Sequence, residues 1–297
     1  MRASLRAVAK AMKSNRAPET ITQEPFDYDS GHYKRLCHLE GGQPSASDLI
    51  DYALDMTHME LQPELLRHLM PVLLNEWRRD LFEGQTAGLR GFVEYFEPAL
   101  LRGKALQAIL SDAERSVVRL FMRNTILDRL DIEDSLAFSG MEASPYQWVR
   151  AIASFGVIFP DIESFWTEWW QMKTCGHSVA AFQYASSLLY EQGKNPVFAS
   201  WTRDKGGGPP VLWACGGHMY GVGWLEENLG FLRRTLSVEY IEQRLRVAQQ
   251  MIKSAESNSV ASRILADLPA QKNLLALRIE QLPTLFANVS NVDGFTI

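Results

Sequence analysis

Apolar residues recur at steps of three and four along most of this chain, the period of a helix that buries one face. Leu5, Val8 and Met12 form a first such stripe, with basic residues around it. From Ala17 to Gln43 the chain is polar and punctuated by proline and glycine, which predicts an extended lead-in. Ser47 offers a cap to a helix over about 48–59, with Leu49, Tyr52, Ala53 and Met56 on one side. Pro63 suits the first turn of the next helix, which runs toward Phe82 through Leu66, Leu69, Leu73 and Trp77 and should kink at Pro71. A third stretch spans Leu89 to Leu101. Ser111-Asp112-Ala113-Glu114 reads as a capping box, in which serine and glutamate satisfy each other's free amides at a helix start.

Pro145 opens a helix to about Phe155, and Asp161 caps one that carries Phe165, Trp166, Trp169 and Trp170. Residues 180–190 read as helical again. Ser237 caps a long helix through Val238, Ile241, Leu245, Ala248, Ile252 and Ala255, and a last one starts near Ala270, giving a terminal helical pair. Strand-like alternation occurs at one place, Val211–Cys215 and His218–Val222 about Gly216-Gly217. The expected fold is mainly α, an irregular multi-helix assembly with one short β-hairpin near residues 211–222. Its expected parts are a basic arm and lead-in (1–43), a helical lobe (44–135) and a second helical lobe (140–297). The charged and small-residue stretch 131–144 serves as linker.

Composition narrows the class. With 46% hydrophobic and 22% charged residues and eight tryptophans among 297 residues, the chain has the make-up of a globular protein. No stretch approaches the ~20 apolar residues of a membrane crossing. Three scattered cysteines, Cys37, Cys175 and Cys215, fit reduced thiols in a cytoplasm. The net charge of −5 conceals an asymmetry, because Arg2, Arg6, Lys10, Lys13 and Arg16 face no acid within residues 1–16. Without them, 25 Lys+Arg oppose 35 Asp+Glu, a balance of −10. Such a body repels phosphate backbones and steers basic partners toward itself, so nucleic acid is not an expected ligand.

Gly176-His177-Ser178-Val179-Ala180 resembles a nucleophile elbow with one glycine missing, but an elbow needs a strand running into a tight turn. An amphipathic helix precedes Ser178 instead, so Gly176 reads as a stop and His177 or Ser178 as a new start. Cys175-Gly-His177 and Cys215-Gly-Gly-His218 could together hold a tetrahedral zinc. The plainer expectation is small buried thiols and incidental histidines, with no metal and no cofactor. Asp55, His58, Glu64 and His68 form a looser carboxylate and histidine set across the interruption at Pro63. Gly206-Gly207-Gly208 lacks the Gly-Lys-Ser/Thr ending of a phosphate loop. The tryptophans around Trp166, Trp201, Trp213 and Trp224 read as core.

The acidic run Asp128, Asp131, Glu133, Asp134 and Glu142, opposed locally by Arg129, is either a solvated linker or a docking edge for a basic protein. Three segments bear on that choice. MELQPELLRHLMPVLLNEWRRDLFEG (59–84), then FVEYFEPALL, then LSDAERSVVRLFMRNTILDRL (110–130) resemble uncharacterised helical bacterial proteins of polymorphic-toxin loci. The shared pattern is a Pro-Glu-x-Leu-Arg-like helix with an internal Leu-x-Pro, followed later by a Leu-Ser/Thr-x-x-Glu helix. The resemblance implies an immunity protein that neutralises a cognate toxin by binding it. The expectation is therefore a cytoplasmic, non-enzymatic protein whose partner is a basic protein, a toxin domain, met at the acidic run. Two further classes stay open: an enzyme using Ser178 or the Cys/His pairs, and a helical scaffold or adaptor.

Overall fold

A computed structural model describes residues 4–13, 16–26, 31–37, 44–83, 92–102, 105–136, 145–190, 194–197 and 225–287. Among the described residues there are thirteen helices and no strand. The hairpin expected near 211–222 lies outside them, as do the glycine run at 206–208 and Trp201, Trp213 and Trp224. The chain divides into two compact units, 1–125 and 126–297.

The first unit holds α1 (Leu5–Met12), α2 (His32–Cys37), α3 (Ala46–His58), α4 (Pro63–Glu83), α5 (Val93–Arg102), α6 (Ala105–Ala108) and most of α7 (Asp112–Asp131). Its core is built on α4, whose Leu65, Leu66, Leu69, Met70, Leu73, Leu74, Trp77 and Leu81 are buried. The helix continues through Pro71 for 21 residues. α1 packs on α4 through Val8 and Met12 and leaves Arg6, Lys10 and Lys13 exposed, so the basic segment caps this core. The α3 cap is Ser45, not Ser47: its hydroxyl accepts from the Asp48 amide at 3.1 Å.

The capping box at Ser111 forms as the sequence predicts. The Ser111 amide donates to Glu114 Oε2 at 2.7 Å and the Glu114 amide to Ser111 Oγ at 3.4 Å. Arg67 of α4 adds a bond to Glu114 Oε1 at 2.8 Å. Burial pulls the Glu114 carboxyl up, but the two Ser111 bonds and Arg67 together hold it below the ordinary glutamate value. The lead-in is fastened by side chains. Asp55, fully buried on α3, accepts from Tyr33 Oη at 2.7 Å and from the Phe26 amide at 2.8 Å. His58 stacks on Phe26 with ring centroids 4.8 Å apart.

The second unit holds the end of α7, then α8 (Pro145–Ile158), α9 (Ile162–Trp169), α10 (Cys175–Leu189), α11 (Glu226–Thr235), α12 (Val238–Met251) and α13 (Ala255–Ala287). α10 is its axis. Residues 176–189 are all buried, and α12 and α13 pack against it. A helix enclosed on every side shows no apolar stripe to mark its start: α10 begins at Cys175, so Gly176, expected as a stop, lies in its first turn, ahead of the start expected at His177 or Ser178. Thr174 is its cap, accepting from the His177 amide at 3.1 Å.

Two buried hydroxyls of α10 are satisfied within the helix itself. Ser186 and Ser187 hydroxyls donate to the Gln183 and Tyr184 carbonyls. At its far end the Arg278 guanidinium donates to the Ser187 and Tyr190 carbonyls at 2.7 and 2.8 Å, a cation placed where the helix dipole favours it. Trp148, Trp166, Trp169, Trp170 and Tyr184 form a buried aromatic cluster beside it. α13 begins at Ala255 rather than near 270, because Ser254 caps it through the Ser257 and Asn258 amides. It runs on through Pro269 and Pro283.

Candidate functional site

The end of α7 and the turn after it bring the acidic run together with the N-terminus of α10. Arg129 and Glu133, four apart, are both buried and form an ion pair. The second Glu133 oxygen accepts from Gln183 Nε2 of α10 at 2.6 Å, and the same amide donates to the Ser135 carbonyl at 3.0 Å. The Leu136 amide donates to Ser257 Oγ of α13 at 3.0 Å. Burial pushes the Glu133 carboxyl up, against the pull of Arg129 and of the Gln183 amide. Glu133, Ser135 and Leu136 thus tie the turn to three helices.

The sequence-predicted acids separate in this frame. Asp131 and Asp134 are exposed and Asp128 is half-buried. Glu133 is the correction: it points inward and fixes the turn, so it is no part of an exposed docking edge. Glu142 lies outside the described residues. Between Asp131 and Asp134 stands Ile132, with 54% of its surface exposed. An apolar side chain flanked by two carboxylates on a turn anchored from beneath can bind a partner without first paying to order itself. Ile132, Gln183 and Ser257 were not singled out in the sequence; the Arg129–Glu133 spacing was the one local sign of the anchor.

The remaining candidates have other occupations. Ser178 is fully buried in the first turn of α10, and its hydroxyl donates to the Thr174 carbonyl at 3.0 Å. The segment before it is α9 and a turn through Met172 at φ 54°, not a strand. Cys175 is half-buried and His177 buried, while Cys215 and His218 lie outside the described residues. Burial lowers the His177 ring from its ordinary value, opposed by Asp131, by a hydrogen bond to the Leu127 backbone, and by Glu168 and Asp128. In the Asp55, His58, Glu64 and His68 set, Asp55 is taken by Tyr33 and Phe26 and His58 by the Phe26 ring.

Among the described residues no helix is long and apolar enough to cross a membrane. No family model, curated protein or solved structure matches the chain.

Proposed function

We propose that this chain is a non-enzymatic binding protein of the bacterial immunity type, working in the cytoplasm. It neutralises a basic toxin domain by docking on the turn at residues 131–136. The observation that carries the reading is Ile132 displayed between Asp131 and Asp134 on a base fixed by Glu133, Gln183 and Ser257. Interfaces concentrate their energy in a few anchored apolar side chains and draw rate and selectivity from the charges around them. The −10 balance outside the basic segment supplies the long-range attraction. The resemblance of residues 59–130 to proteins of toxin loci supports the same class.

The product of the adjacent gene tests the reading. Titrated into that toxin, this chain should abolish its activity at an equimolar end point and co-elute with it. Inactivation by a small fraction of an equivalent would mean turnover and an enzyme. No effect on the neighbour, and no complex, would sink the proposal.

A further inference from the structure

A second constellation lies in the first unit. Asp48 and Asp51 are three apart on α3 and share one helix face. α2 lays His32 against that face, 1% exposed, while both aspartates are half-buried. One ligand atom from each of the three residues lies within 4.8 Å of the others. His32 Nδ1 and Asp48 Oδ1 are 3.5 Å apart, longer than a good hydrogen bond. Donors placed ~2.0–2.2 Å from a common ion stand about 3–3.6 Å from one another, so the His32–Asp48 separation suits a shared cation, with the Asp51 donor near enough to close on it. The other Asp48 oxygen accepts from the Ser45 hydroxyl at 2.7 Å, which fixes the carboxylate's orientation as an outer partner fixes a ligand.

We propose that His32, Asp48 and Asp51 bind a divalent first-row transition-metal ion, with Zn2+ as its representative. One imidazole and two carboxylates are a borderline set that favours such ions over Ca2+ or Mg2+, which take oxygen donors alone. Three protein donors leave at least one position to water, and the half-buried carboxylates give the ion a route in. The site is independent of the Cys/His alternative, sharing none of its residues.

The full-length chain, stripped with chelator, should take up one equivalent of Zn2+ in calorimetric titration, and its melting temperature should rise with added Zn2+. Co2+ in its place should show no intense near-ultraviolet thiolate-to-metal band. Asp51→Asn keeps the shape of a half-buried side chain and should weaken uptake at least about tenfold, with the Zn2+-dependent rise in melting temperature reduced. The Cys175→Ser/Cys215→Ser variant should bind as the parent does. A thiolate band, loss of uptake in the cysteine variant, undiminished affinity in Asp51→Asn, or no uptake at all would each overturn the assignment.

Discussion

Gly176 sits directly against the main chain of Asp131: a Cβ at that glycine would lie 2.0 Å from the Asp131 oxygen and 2.7 Å from that of Leu130. The last carbonyls of α7 therefore meet the first turn of α10, negative end to positive end, at a distance only glycine permits. Both clashing groups are backbone and cannot swing aside. Gly176→Ala should cost about 3 kcal/mol, at the upper end of overpacking effects, and lower the melting temperature by roughly 6–12 °C. Calorimetry checks it, and an unchanged melting temperature would show that the two helices part easily.

Glu133 and its neighbours should behave oppositely under charge reversal. Glu133→Lys breaks a buried pair and sets two cations together, which should cost about 3–5 kcal/mol. Asp131→Lys or Asp134→Lys acts at the surface and should stay within about 0.5 kcal/mol. Urea unfolding separates the cases; equal stability for all three variants would mean that Glu133 is not an anchor.

His177 should make the second unit sensitive to mild acid. Its folded ring is held below the ordinary 6.5, chiefly by burial, so the unfolded chain takes the proton first as pH falls. The His177 contribution is full above about 6.5 and is lost as pH falls from there through the lower folded value. Urea midpoints measured from pH 7.5 to 5 should decline in the parent and flatten in His177→Gln. Parallel pH profiles for the two proteins would contradict this.

Ser178→Ala should be nearly silent. The hydroxyl is buried and bonded back to Thr174, a contact of small net worth, so stability should change by less than about 1 kcal/mol. A fluorophosphonate probe should leave the parent unlabelled, whereas stoichiometric labelling at Ser178 would restore the hydrolase reading.

What could be read from the sequence was local. The capping box at Ser111–Glu114 and the Ser237 cap need only residues three apart, and both form. Ser45 and Ser47 offer competing caps two residues apart, and the Asp48 side chain bonded to Ser45 distinguishes them. The apolar step from Ile252 to Ala255 imitates one continuous helix and hides the break at Ser254, where the helix from Val238 has ended at Met251 and the next begins. Glu133 differs in sequence from Asp131 and Asp134 by one local sign, Arg129 four residues before it; its bond to Gln183, fifty residues on, is what the sequence does not show. The exposure of Ile132 and the meeting of His32 with Asp48 and Asp51 depend on tertiary packing. His32 also lies in a short helix where the polar pattern had predicted an extended lead-in.

Docking on the 131–136 turn is the central claim, and the association rate with the adjacent-gene toxin tests it most directly. Stopped-flow mixing over a range of salt should show the parent associating fast at low salt and slowing as salt screens the encounter. Asp131→Lys/Asp134→Lys, folded as the parent is, should associate at least about tenfold more slowly at low salt and show a flattened salt response. A tight complex that this double variant forms with the parent's rate and the parent's salt dependence would contradict the account.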